Sequence, residues 1–169
     1  MPDATGLELT AQELRDADNT SILDTEFHRG RAVLVANPEK IRLVLEHLRS
    51  KGYTFLASLH GVDYYPHEPR LGVLYEMLDR DAVDRISVKA RVSTDAARIE
   101  SVVDMFPGAE FPEREVYDMF GVVFDGHPDM RRILMPEDYE GHPQRRDFPV
   151  GGEPVLFTYN EEQNYGKYM

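Results

Sequence analysis

The run 70-RLGVLYEMLDRDAVDRISVKARV-92 decides the architecture. In its second half Ile86, Val88, Ala90 and Val92 alternate with Ser87, Lys89 and Arg91, the period-two pattern of a strand that is packed on one face and wet on the other. RLGVLYEML at 70–78 reads as a second strand, and YTFLASLH at 53–60, just upstream, as a third. A sheet with one covered face and one more open face follows.

Working outward, Asn37 can cap a helix and Pro38 suits its first turn, after which Ile41, Val44, Leu45 and Leu48 recur at i, i+3, i+4 and i+7 until Gly52. ILDTEFHRGRAVLVA at 22–36 reads as a hairpin turning near Gly30, and residues 8–16 as a short amphipathic helix. On the other side, STDAARIESVVDMF at 93–106 carries Ile99, Val102, Val103 and Phe106 at helical spacing, with Pro107 and Gly108 as its stop. PEREVYDMF at 112–120 predicts a short helix that begins at Pro112 and closes at Gly121. The order helix, two strands, helix, three strands, helix predicts an α+β fold at residues 1–120: a two-layer domain whose mixed sheet is covered by helices on one face. From 121 to 169 Pro and Gly recur too often for a second core, so an extended C-terminal arm is expected, ordered by what it lies against.

With 169 residues, 41% hydrophobic and 30% charged, the chain is the size of one soluble globular fold. It has no cysteine, which removes disulfides, thiolate zinc sites, cysteine-ligated clusters and cysteine nucleophiles. A formal net charge of -12 opposes binding to nucleic-acid phosphates and anionic lipid, so neither is an expected partner. The longest strongly apolar stretch, AVLVA at 32–36, is too short to span a membrane, and the amino terminus lacks the basic start and apolar block of a secretory signal. A cytoplasmic location is expected unless a partner holds the chain at a membrane.

The arm repeats a phrase, GHPDMRRIL at 126–134 and GHPQRRDFP at 141–149. His127 and His142 match no zinc spacing, so each imidazole is expected to bond a carboxylate or carbonyl and fix its turn. Glu115 and Asp118, at i and i+3, together with His127 are the raw material for acid/base catalysis, but helical carboxylates near arginines are usually ion-paired and no Gly-rich phosphate loop accompanies them. Between 113 and 149 nine acids outnumber five arginines, so the arginines are expected to meet carboxylates, in this chain or across an interface. On that basis Arg131→Ala and Arg145→Ala should be worse than an average surface change. Met119, Phe120, Met130, Ile133, Leu134, Met135, Tyr139 and Phe148 interleave with these charges, as at docking surfaces, although the chain's own core has an equal claim on Met119, Phe120 and Ile133.

EREVYDMFGVVFDGHPDMRRIL, continued by MPEDYEGHPQRRDFP, closely resembles the signature of the NuoC-type, thirty-kilodalton subunit family of respiratory complex I, the NADH:quinone oxidoreductase. Glu113, Arg114, Glu115, Asp118, Met119, Phe120, His127, Arg131, Ile133 and Leu134 fall on the motif's fixed positions, and VDYYPHEPRLGVLYEML and RISVKARV resemble the family's strands. Phe111 stands where the family often has a tryptophan, and PQRRDFP where it often reads PLRKDYP.

The resemblance implies a non-catalytic peripheral-arm subunit of a proton-translocating complex, a hetero-oligomer held peripherally on the cytoplasmic side of the cell membrane. Its implied partners are the large, quinone-reducing D subunit and other hydrophilic-arm subunits, with FMN, iron-sulfur clusters and quinone carried by those subunits and no cofactor by this chain. It makes Glu113, Arg114, Glu115, Asp118, His127, Arg131, Arg132, His142, Arg145, Arg146 and Asp147 an interface and structural motif rather than a catalytic or metal site, with the arm at 121–169 packing on the partner subunit. It leaves open an equivalent scaffold in a ferredoxin- or F420-linked quinone reductase or a membrane-bound hydrogenase. From the residues alone, a stand-alone hydrolase or isomerase using Glu115, Asp118 and His127 is the alternative of a different class.

Overall fold

The computed structural model describes residues 3–149. Helix α1 (Ala4–Ala17) starts where the Asp3 carboxylate accepts the Gly6 N–H, four residues before the predicted start, and buries Leu7, Ala11 and Leu14 along one stripe. Strands β1 (Ile22–His28) and β2 (Arg31–Ala36) form the expected hairpin. Its two turn residues, Arg29 and Gly30, both have positive φ, as a type I′ two-residue turn requires. The Asn37 side chain caps a 3-10 turn at Pro38–Lys40 that leads into α2 (Ile41–Ser50), whose Ile41, Val44, Leu45 and Leu48 are all buried.

Strands β3 (Phe55–Asp63), β4 (Leu71–Asp79) and β5 (Asp84–Val92) form an antiparallel meander, and β5 then pairs parallel with β2. The resulting mixed sheet has the order β1-β2-β5-β4-β3. Registers align Leu34, Val88, Tyr75 and Leu59 across one face, all buried in the same core as the stripes of α1 and α2. On the opposite face Val35, Lys89, Leu74 and His60 align and are half-buried or exposed. The α+β class, the mixed sheet and the single helical layer are therefore as expected.

The predicted helix over 93–106 does not form. That stretch holds a 3-10 turn at Thr94–Ala96, a short strand β6 (Arg98–Glu100) and a turn into a second 3-10 segment at Pro107–Ala109. Ile99, Val102 and Phe106 are buried as their spacing demanded, by another route. Strand β6 pairs parallel with β7 (Val123–Asp125), and the Val102 N–H is donated to the Glu113 carboxylate rather than to a helical carbonyl. Tertiary partners thus override the local pattern.

Pro107 and Gly108 consequently begin an element instead of ending one, and α3 (Glu110–Phe120) follows directly. Pro112 sits in its first turn, where no intrahelical partner for an N–H is needed. The helix lies on β3 with the Phe120 ring over Gly61, where a Cβ would overlap the ring. Gly121, at φ +77°, ends it in the left-handed conformation.

Candidate functional site: the clamped arm

Residues 126–149 have no regular secondary structure, yet most of their hydrogen bonds to the body of the domain go to one element, α3. What the arm lies against, over these residues, is its own domain. Residues 150–169 of the expected arm lie outside the described residues.

The two Gly-His-Pro turns grip opposite ends of α3. At its start, His127 Nδ1 accepts the Asp129 N–H at 2.9 Å, which leaves Nε2 to donate to the Glu110 carbonyl at 3.0 Å. At its end, His142 Nδ1 donates to the Asp118 carbonyl at 3.0 Å, the Gln144 N–H to the Met119 carbonyl at 3.1 Å, and Arg145 Nε to the Phe120 carbonyl at 2.6 Å. Those three carbonyls belong to the last helical turn, whose acceptors have no partner within the helix. A cation at that end also complements the helix dipole. Burial holds His142 below the ordinary histidine range, so it serves here as a neutral donor.

Between the two ends the arm runs along α3. Arg114 donates to the carbonyls of Arg131 and Arg132 at 3.1 and 3.0 Å, and one turn later the fully buried Asp118 collects four donors. Arg132 Nη1 reaches Oδ1 at 2.6 Å, and the consecutive N–H groups of Ile133, Leu134 and Met135 converge on Oδ2 at 3.0, 2.8 and 2.9 Å. Burial alone would raise the Asp118 pKa, but the Met135 N–H, Arg132 and the other two amides together hold it below the usual carboxylate range. Arg132 also donates through Nη2 to the Gly141 carbonyl, tying the second turn to the first.

A second clamp fastens the far end. Arg70 is buried between two carboxylates, Asp63 at 2.8 and 2.6 Å and Asp147 at 2.7 Å twice, both bidentate. Asp63 additionally accepts the N–H groups of Tyr65 and Arg146 at 2.9 and 2.8 Å, and the Tyr65 ring lies against the guanidinium. Arg70 foremost, with these amides, holds the Asp63 carboxyl well below its ordinary range. A third buried acid, Glu113, accepts from Ser101 Oγ at 2.7 Å and the Val102 N–H at 2.8 Å, and desolvation pushes its pKa up in spite of both donors.

The motif residues therefore divide. Glu113, Arg114, Asp118, His127, Arg132, His142, Arg145 and Asp147 find their partners within the chain, while Arg146 contributes its backbone N–H and exposes its side chain. Arg131 is exposed and pairs with Asp129 two residues away, contrary to its expected importance. Arg131→Ala should accordingly leave the urea unfolding midpoint unchanged; a midpoint that fell with it would place that guanidinium in the clamp. Nor do all arginines meet carboxylates, since Arg145 and the closest bonds of Arg114 go to carbonyls.

Glu115 is exposed, Asp118 is saturated by donors and His127 is bonded through both nitrogens, so the alternative catalytic trio is not assembled. Among the described residues no three His, Asp or Glu side chains gather as a metal would require, and no helix is long and apolar enough to cross a membrane. Asp63, Arg70 and Ser101 were not singled out from sequence. The signal for the first two is an aspartate and an arginine flanking a proline-rich turn, which brings them side by side.

The family model for the 30 Kd subunit of respiratory-chain NADH dehydrogenase matches residues 34–154. The C subunit of NADH-quinone oxidoreductase from Roseiflexus sp. (strain RS-1) is 41% identical over 168 residues, covering 98% of this chain and 94% of the relative. The solved trypsin-resistant fragment of Nqo5 superposes with a TM-score of 0.64 at 32% identity, over 73% of this chain and 98% of the fragment. A chain of an archaeal membrane-bound sulfane sulfur reductase shares the fold, with a TM-score of 0.70 at 24% identity over 96% of this chain and 92% of that one.

Proposed function

Because the chain belongs to the family of the 30 Kd subunit of respiratory-chain NADH dehydrogenase, we propose that it is a non-catalytic peripheral-arm subunit of a proton-translocating NADH:quinone oxidoreductase. In this reading it holds the large, quinone-reducing D subunit and its cluster-bearing neighbours in register on the cytoplasmic side of the cell membrane. The FMN, iron-sulfur clusters and quinone belong to those other subunits.

The observation that carries the reading is the clamp. Two ion clusters, around Asp118 on α3 and around Arg70 beside the β3–β4 turn, fix a segment without regular structure onto the domain, and Asp118, Asp63 and Arg70 are themselves buried and already partnered. Such an arrangement rigidifies a surface. It does not offer a nucleophile, a free base or an open cationic site.

The test is to tag the full chain in its native membranes, solubilise in mild detergent and identify what is recovered. Recovery of the quinone-reducing and cluster-bearing subunits together with flavin-dependent NADH oxidation is expected. Recovery of the same partners without NADH oxidation would assign the chain to a ferredoxin-, F420- or hydrogenase-type complex, and recovery of the chain alone would overturn the scaffold.

A further inference from the structure

The clamp hides arginines but exposes hydrocarbon. Phe111 is 60% exposed, Leu134 61% and Ile133 37%, although each lies within or beside the most heavily bonded part of the arm. Ile133 and Leu134 have their N–H groups fixed on Asp118, so their outward side chains belong to a backbone held in place. On α3, positions 111, 114, 115 and 118 share one side of the helix. Arg114 holds residues 131–132 and Asp118 holds residues 133–135 alongside, so Glu115 and, one turn before Arg114, Phe111 lie on the side of the helix that carries Ile133 and Leu134. The result is an apolar strip about two helical turns long on a rigid base.

The charges around the strip have one dominant sign. Arg114, Arg132 and Arg145 are turned inward, and the exposed Arg131 is shared by two acids, Asp129 and, at 3.9 Å, Glu137, which leaves this trio net negative. Glu115, Glu137, Asp138 and Glu140 remain exposed, the last three in the loop whose ends are tied by Met135 to Asp118 and by Gly141 to Arg132. A second copy of this chain, with the same acidic rim and a net charge of -12, would be repelled from such a surface. A face that is apolar at its centre and basic at its edge would be attracted to it and would complement it in both respects.

We infer that Phe111, Ile133 and Leu134, rimmed by Glu115, Glu137 and Asp138, form the surface that a neighbouring subunit with an apolar centre and a basic rim binds. This rests on the reading of the chain as one member of a larger complex. It relocates the recognition within the motif: the arginines and histidines build the platform, and the aliphatic, aromatic and acidic residues make the contact.

The experiment uses the full-length tagged chain as the only copy in its own cells, purified from membranes in mild detergent, with recovered subunits quantified by mass spectrometry. Phe111→Ser combined with Leu134→Asp should lower recovery of the docked subunit by about tenfold or more, the scale of losing a hot-spot contact. Glu115→Lys combined with Asp138→Lys should lower it as well. Val83→Asp, at a position 84% exposed in the β4–β5 turn, should leave it unchanged. Thermal unfolding of each purified variant at the wild-type temperature excludes misfolding as the cause.

Wild-type recovery of the complex with no loss in either double variant overturns the docking surface and leaves the complex reading intact. Loss with the apolar variant but not with the charge reversal overturns the basic-rimmed partner. Failure of the wild-type chain to bring down any other subunit overturns the complex reading and this inference with it.

Discussion

Asp118→Asn is expected to destabilise the full chain by about 3–5 kcal/mol, a fall on the order of 10 °C in melting temperature, although it changes no shape. The amide has one acceptor oxygen for a site built from donors only. If that oxygen takes the Ile133, Leu134 and Met135 N–H groups, the amide nitrogen points its own hydrogens at Arg132; turned the other way, it points them at three backbone amides. Arg132 is left largely buried without its charge partner in either case. The same substitution should expose the segment from 131 to 141 to limited proteolysis before the sheet unfolds, because that carboxylate joins the segment to α3. Urea unfolding and trypsin digestion of the variant check both results, and an unchanged midpoint with unchanged cleavage would show that the three amides do not depend on the charge.

Arg70→Met should cost a comparable amount, about 3–5 kcal/mol at neutral pH, by leaving Asp63 buried and facing Asp147 with no cation between them. It also has a distinctive pH signature. In the wild-type protein Arg70 depresses both carboxyl groups, so their contribution is fully present above the ordinary aspartate range and is lost as pH falls through the depressed values. In the variant two neighbouring carboxylates without a cation resist ionisation, so their folded pKa values rise and acid favours the fold. The stability gap between the two proteins should therefore narrow as pH falls from about 7 to about 3, spanning the ordinary aspartate pKa near 4. Urea midpoints measured across that window would show it, and a gap that stayed constant would mean that Asp63 and Asp147 do not titrate through Arg70.

Residues whose patterning reports on a local partner were legible. Alternation in 85–92 and helical spacing in 41–48 named the right elements because in both cases the buried neighbours are the adjacent strands and the sheet beneath. The spacing of Ile99, Val102 and Phe106 misled because burial has only a face, not a route: a strand followed by a turn hides the same three side chains. What chose between the two was Glu113, a buried acid fourteen residues from Ile99, which claims Ser101 and Val102. No window of local sequence carries that competition.

For the arm, the repeated Gly-His-Pro phrase correctly marked two turns held by imidazoles. Its targets were hidden, since they are backbone carbonyls at the two ends of one helix and any helix supplies such acceptors. Arg70 was invisible for the opposite reason, being one of fifteen arginines and 77 residues away from Asp147.

The parallel seam between β2 and β5 sets a schedule for the nascent chain. Val33 finds its sheet partner Ser87 only after 54 more residues have been made. At roughly 5–20 residues per second, the β1–β2 hairpin emerges from the ribosome several seconds ahead of β5. During that interval the inner edge of RAVLVA is an unpaired, apolar strand edge, the kind of template on which other chains nucleate aggregation. The sheet can close only when the meander arrives, so the seam concentrates the hazards of biogenesis into one brief interval of each synthesis cycle. Slowing translation between residues 37 and 84 should lower the soluble yield of this protein, whereas a pause after residue 92 should not.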